Sequence, residues 1–573
     1  MGADHIRRWE SGALAHAVTD PFGQGPLPWL RGSETYFDDT GQVVPWYAEP
    51  HMGSAFSGVG GGFGGGAGAR GPGHGNGANG ANGANGARAA SDTSDPADEN
   101  EGAGSGTGCG PGVPGHTGRT GHTGGSGSVG GVGGPGHVRA DGSSGGARTA
   151  DDVHCQIKGF ASAGAVAPGE AIDFHITVDP PQQYSVDIYR IGHYGGDGAF
   201  KITTSPRLPG IVQPPPLAAD RTVSCHHWWL SWRLQVPSYW TLGAYVAVLT
   251  TADGHRSHVP FTVRDDRAAD LLLLLPDITW QAYNLYPEDG RTGASLYHAW
   301  DAEGRLLGEQ DAATTVSFDR PYAGAGLPLH VGHAYDFIRW AERYGYDLAY
   351  ADARDLHAGR IDPTRYRGLI FPGHDEYWSV PMRRTVERAR DNGTSLVFLS
   401  ANTMYWQVEL SPSASGVPDR LLTCRKRRGP GRSALWRERD RPEQEVLGIQ
   451  YAGRVPEPHP LVVRNAGHWL WEATGAGEGD AIDGLVAGEA DRYFPRTALP
   501  EHQDRILLAH SPYRDSENAR CHQETSLYRA PSGALVFASG TFAWSPALDR
   551  PGHVDARVQR ATANLLDRIC KRD

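Results

Sequence analysis

Of the 78 glycines in this 573-residue chain, 36 fall between residues 51 and 150. The stretch repeats Gly-Ala-Asn three times from Gly77 and has almost no large apolar side chain after Phe63. A segment of that composition cannot bury enough apolar surface to offset the entropy of ordering it. Residues 51–152 are therefore expected to form a disordered Gly-rich linker, and packed structure must come from what flanks it. The string GPGHGNG at 71–77 looks like a phosphate loop, but it follows no predicted strand and opens no helix, so it is not read as a nucleotide site. Residues 1–50 carry Trp9, Trp29, Tyr36, Phe37, Trp46 and Tyr47. They are too few for a secure core and are expected to dock on a later domain, in a role the sequence does not assign.

Residues 153–266 read as β. Ile172, Phe174, Ile176 and Val178 alternate with polar residues, as do Val186 and Ile188, and Tyr245, Ala247 and Leu249. Pro168-Gly169, Asp179-Pro180 and Asp253-Gly254 punctuate these runs as turns. The pattern predicts an all-β, immunoglobulin-like sandwich. Residues 267–573 are expected to form one α/β domain: strands alternate with helices through about Leu399, further β-rich sequence follows at Ile506–His510 and Leu535–Ala538, and a helix near Ala556–Ile569 closes the chain. Leu271–Leu275 is a continuous apolar strand, and helical spacing follows near His333–Tyr344. Ser379 can cap a helix running to about Arg390, which Asn392-Gly393 would end. The expected class is α/β, with a mostly parallel sheet of glutamine-amidotransferase-like architecture.

The balance of 53 Lys+Arg against 65 Asp+Glu, net −12, leaves no basic footprint and argues against a nucleic-acid partner. No apolar run approaches the ~18 residues of a membrane span. The opening MGADHIRRWE has no apolar signal region, and the six cysteines form no CxxC pair. The chain is expected to be soluble and cytoplasmic, without a membrane partner.

In an open α/β sheet, ligands bind beyond the carboxyl ends of the strands. Three predicted post-strand loops are rich in functional side chains: PDITWQAYNLY after Leu275, PGHDEYW after Phe371 and SANTMYWQ after Leu399. His374, Asp375 and Glu376 form the densest polar cluster. Carboxylates there can ligate a hard cation or act as a base, or they can be helix N-terminal acids beside a packing histidine. No G-x-S-x-G elbow occurs in the regions expected to fold, and Ser400-Ala401-Asn402 stands where an amidotransferase-like sheet would need its cysteine.

The strings LLPDITWQAYN, SLYHAW, FDRPY, FPGHDEYW, FLSANTMYWQ, VAGEADR and SLYRAPSGALVFASGTFAWS resemble the large (beta) subunit family of N,N-dimethylformamidase, over about residues 153–573. The resemblance implies an iron-dependent amidohydrolase acting on a small amide such as an N-substituted formamide. It implies a mononuclear iron, Fe3+, held by two tyrosinates and one carboxylate. Glu376 matches the carboxylate, Tyr297 one tyrosine and Tyr283 the other, with Tyr286 as its rival. His374 and Asn402 match active-site residues beside the metal, and Glu489 matches a catalytic acid/base. A small accessory subunit and a homo-oligomer are the partners the family suggests. The chemistry is coherent, since phenolate and carboxylate are hard anionic donors suited to a trivalent ion. Two further readings stand beside it. One is the same metal site tuned to another C–N or ester substrate; the other is a non-catalytic module binding a sugar or peptide on its aromatic side chains.

Overall fold

The computed structural model describes residues 156–264, 267–426, 434–515 and 518–571, and a short antiparallel ladder of Tyr36–Phe37 on Val43–Val44. The linker expected at 51–152 and the docking expected of residues 1–50 lie outside the described residues.

Two sheets open the described chain. Ile157–Ala161, Ala171–Val178 and Trp232–Gln235 pair antiparallel. Gln183–Ile191, Gly243–Thr251 and Arg256–Val263 form the centre of the second, edged by Ala199–Thr204 and by Ala165–Val166, which joins parallel. The period-2 alternation is realised: Ile172, Phe174, Ile176 and Val178 are buried, while their neighbours are exposed or half-buried.

A seven-stranded mixed sheet follows. Leu271–Leu275 runs parallel to Leu348–Asp352 on one side and to Gly368–Phe371 on the other. Ser395–Phe398 and Leu535–Ala538 extend it in parallel. Arg520–Arg529 and Gln503–Arg514 complete it in antiparallel. Leu271, Leu273 and Leu275 enter one apolar cluster, and Leu272 and Leu274 enter another on the opposite face. Each fully buried leucine contributes about 1.5–3 kcal/mol. Ser379 caps the helix Val380–Asp391 by accepting from Met382 N at 3.3 Å, and Asp555 caps Ala556–Cys570 through Arg557 N at 2.8 Å.

The expected class, an α/β fold on a mostly parallel, glutamine-amidotransferase-like sheet, is overturned. Strands dominate the described residues and are distributed over eight sheets, most of them small. Among the described residues three helices exceed eight residues: Val331–Arg343, Val380–Asp391 and Ala556–Cys570. Much of the difference lies beyond residue 450. There Gln450–Val462 and Ala481–Arg492 pair as a long bulged antiparallel ladder, and Gln503–Arg514 and Arg520–Arg529 form a second. These antiparallel ladders, rather than strand–helix units, make up this part of the chain, and the strand Ala481–Arg492 brings Glu489 and Asp491 to Asn402.

The first two sheets share their core with the rest. One cluster includes Ile157, Phe174 and Tyr245 together with Trp340, Leu508 and Ile569. A buried ion pair reinforces the junction: Arg420 Nη2 lies 2.6 Å from Asp319 Oδ1 and donates to Ala161 O at 3.2 Å. Among the described residues no helix is long and apolar enough to cross a membrane.

Candidate active site

Three strand ends deliver the site. Leu275 leads into the short helix Asp277–Tyr283, whose last residue is Tyr283. Phe371 leads into Pro372–Glu376, and Phe398 into the turn that holds Asn402. Tyr297 comes from the segment before the strand Ala299–Trp300. Tyr283 Oη donates to Glu376 Oε2 at 2.6 Å, and Tyr297 Oη donates to Glu376 Oε1 at 2.6 Å. The two phenol rings stack with centroids 4.7 Å apart. Glu376 is only 1% exposed, so both oxygens of a buried carboxylate are engaged by phenols.

His374 stands against this triad. Its Nε2 lies 3.1 Å from Tyr283 Oη and 3.3 Å from Glu376 Oε2, and its Nδ1 faces Glu489 Oε2 at 4.0 Å. Phe542 packs on the imidazole with centroids 4.5 Å apart. Asn402 adopts a left-handed backbone, φ 53°, which asparagine tolerates. Its N–H donates to Asp491 Oδ1 at 2.8 Å and its Nδ2 to Glu489 Oε1 at 3.3 Å. Glu489 sits on the long strand Ala481–Arg492, after Gly488. There φ is 71° and a Cβ would come within 2.8 Å of the Phe542 ring, so glycine is required.

The six residues singled out from the sequence, Tyr283, Tyr297, His374, Glu376, Asn402 and Glu489, thus lie in one connected cluster. The rival Tyr286 does not join them. It packs with Phe160, Cys225 and Trp228, beneath Lys158. Asp375 also turns away: its Oδ1 lies 3.4 Å from Thr279 Oγ1. Burial, and then the charge of Asp277, push its carboxyl well above the ordinary range.

A family model described as N,N-dimethylformamidase beta subunit-like, C-terminal, matches residues 185–558, the stretch that supplies every one of these side chains. The chain belongs to that family. Beta subunits of N,N-dimethylformamidase from Paracoccus aminophilus and from an Alcaligenes species are each 25% identical to it over 281 residues, 41% of this chain. That match spans 36% of each relative's length. A structural likeness to a Pseudomonas fluorescens alkylpurine DNA glycosylase bound to DNA is slight, with a TM-score of 0.12 at 17% identity, over 19% of this chain and 31% of that one.

In this N,N-dimethylformamidase beta subunit-like chain the cluster also contains residues that the motif strings do not flag. Thr279 lies one helical turn before Tyr283, and its Oγ1 accepts from Glu376 N at 3.0 Å and from Tyr377 N at 3.2 Å. It positions the carboxylate through the backbone. The only sequence signal is the i, i+4 spacing of Thr279 and Tyr283. Lys426 Nζ lies 3.1 Å from the centroid of the Tyr297 ring and 3.4 Å from Glu309 Oε1. It is one of four lysines in a chain whose cations are otherwise arginine, and that rarity is its only signal. His330 begins the helix Val331–Arg343 and meets His374 edge-on at 6.0 Å. Burial, then the charges of His374 and Arg550, push its pKa down to about 3, so it is neutral.

Burial and the neighbouring Glu376 charge hold the Tyr297 phenol well above its ordinary value. Burial would raise Glu376 too, but His374, Lys426 and the Tyr283 hydroxyl outweigh it and keep the carboxyl below the usual range. Glu376 therefore carries a firm negative charge in the cluster, and at least one phenol, Tyr297, ionises only against a cation.

Asp491 gives a pH prediction. Burial pushes its carboxyl up to about 7, despite the Asn402 N–H that it accepts. Its unfolded value is about 3.9. Between those values the folded chain holds the proton that the unfolded chain has lost. The stability contribution is present below pH ~4 and is lost as pH rises through about 7. Urea denaturation of wild type and Asp491→Asn from pH 4 to 8 should show the wild type losing up to about 1.4 kcal/mol per unit relative to the variant. Parallel profiles would show that Asp491 is ionised throughout.

Proposed function

We propose that this chain hydrolyses the C–N bond of a small amide, N,N-dimethylformamide or a related N-substituted formamide, with a mononuclear iron, Fe3+, held by Tyr283, Tyr297 and Glu376. The observation that carries this reading is the pair of phenol hydroxyls, each 2.6 Å from one oxygen of the buried Glu376 carboxylate, in a chain of the N,N-dimethylformamidase beta subunit-like family. Three converging oxygen donors, all anionic once the phenols ionise, fit a hard trivalent cation better than zinc, which favours imidazole and thiolate. When bound, such an ion supplies Lewis acidity to an amide carbonyl oxygen and to water.

The chain's own residues do the rest. Asn402 Nδ2, in a long 3.3 Å bond to Glu489, is the donor for the carbonyl oxygen as it gains negative charge. Glu489 takes a proton from the attacking water and returns it to the nitrogen of the leaving amine as the C–N bond breaks. His374, held between Glu376 and Glu489, keeps the two carboxylates apart and orients Tyr283. Phe542 and Tyr377 wall the cluster. The beta-subunit designation of the relatives supports an accessory subunit as partner.

Metal analysis with a visible spectrum tests the reading, followed by a screen of formamides for amine release. The expected result is stoichiometric iron, a broad tyrosinate-to-iron charge-transfer band and turnover of a small amide. A chain without iron or band after ferrous reconstitution and reoxidation would overturn it. Asn402→Ala is expected to keep its iron and to lose about 10²–10³ in kcat. Loss of iron in that variant would show that Asn402 holds the metal site rather than the oxyanion.

A further inference from the structure

A second cluster of ligand-type side chains lies on the outer ladder of the seven-stranded sheet. His510 is paired directly opposite Glu524, and His522 is two residues before Glu524, so all three project from one face. Both imidazoles address the same carboxylate oxygen: His510 Nδ1 is 3.1 Å from Glu524 Oε1 and His522 Nε2 is 3.7 Å from it. The rings pack with centroids 4.5 Å apart, and one ligand atom from each residue lies within 4.8 Å of the other two. Tetrahedral ligands of a zinc-sized ion stand roughly 3.4 Å apart, so small side-chain rotations bring this trio to coordination distance.

The surroundings favour a cation. The Glu524 side chain is only 7% exposed, and although Arg505 acts on Glu524 and Arg492 on His522 at longer range, among the described residues no Lys or Arg closes to ion-pair distance on this carboxylate. Its other oxygen accepts from Tyr493 N at 2.7 Å, the kind of backbone contact that orients a ligating carboxylate. The histidines are 46% and 29% exposed, so the cluster is reached from solvent. A buried carboxylate with two accessible imidazoles is a borderline-soft donor set, unlike the tyrosine–carboxylate cluster of the active site.

We propose that His510, His522 and Glu524 form a divalent transition-metal site of zinc type, separate from the active site and independent of the amidase reading. Its ion clamps the edge strand Gln503–Arg514 to Arg520–Arg529 and leaves a fourth position for water.

The test is calorimetric titration of Zn2+ into the full-length chain, comparing wild type, Glu376→Gln, His510→Ala and His522→Ala. Glu376→Gln removes the active-site carboxylate, so zinc drawn to that site is discounted; Tyr297→Phe replaces it should that variant misfold. Expected are one micromolar or tighter Zn2+ event in wild type and in Glu376→Gln, and its weakening by at least about tenfold in each histidine variant. Zn2+ should also raise the melting temperature of wild type and not of the histidine variants. The half-exposed histidines leave no core cavity when truncated, and circular dichroism checks their fold. Equal zinc affinity in wild type and both histidine variants would overturn the proposal, as would the absence of binding below millimolar Zn2+ in Glu376→Gln.

Discussion

Glu376→Gln is expected to lose iron and amide hydrolysis together. The carboxylate accepts from both Tyr283 and Tyr297 at 2.6 Å, one phenol on each oxygen. A glutamine offers one acceptor oxygen and one NH2, so one tyrosine would face a donor where it now finds an acceptor. The negative charge that balances Lys426 and a bound cation would also vanish from a position only 1% exposed. Removing one of three anionic donors should lower kcat/KM by about 10³-fold or more, some 4 kcal/mol of transition-state stabilisation. Iron content and the rate of amine release, measured on one preparation, check this. A variant that kept its iron and near-normal turnover would remove Glu376 from the reaction.

The largest stability effect is expected from Asp336→Ala. Asp336 is fully buried on the helix Val331–Arg343 and binds two arginines: Arg550 Nε donates to its Oδ2 at 2.9 Å, and Arg339 pairs with its Oδ1. Arg550 and Arg339 are themselves 2% and 6% exposed. Truncation leaves two buried guanidinium groups without that carboxylate, although Arg339 keeps Asp549 at 2.7 Å. Breaking a buried pair from one side costs about 3–5 kcal/mol. Urea denaturation should register that loss, while Asp549→Ala, which removes the less buried partner, should cost less. A loss below ~1 kcal/mol for Asp336→Ala would mean that both arginines reach solvent.

The site was legible because short strings carried it. HDE, QAY and SLYH hold His374, Glu376, Tyr283 and Tyr297, which the structure brings into one cluster, while Asp375 of HDE turns to Thr279. The roles of Thr279, Lys426 and Asp491 were hidden, because each acts across space on a residue far away in sequence. The fold class misled for a physical reason. Strand–helix alternation is plain from Leu271 to Phe398, but beyond it only Ile506–His510 and Leu535–Ala538 read as strands, and the long antiparallel ladders are not apparent. The strand Gln450–Val462 contains Gly453, Pro456, Pro458 and Pro460, residues that normally demote a strand. Its register shifts fall between Tyr451 and Gly453, between Val455 and His459, where Pro456 and Pro458 sit, and between His459 and Leu461, where Pro460 sits, so its period-2 signal is broken. Gly484 and Gly488 interrupt its partner in the same way.

The apolar cluster that runs from Ile157 to Cys570 has no seam at residue 266. Phe174 and Trp544 belong to one packed interior, and Arg420 ties Ala161 to Asp319 across the junction. Heat is therefore expected to melt the N-terminal sheets and the site-bearing sheet in a single cooperative transition. A fragment beginning near residue 267 would expose an apolar face that the intact chain covers, so the N-terminal sheets behave as a built-in part of the chain's foldable unit.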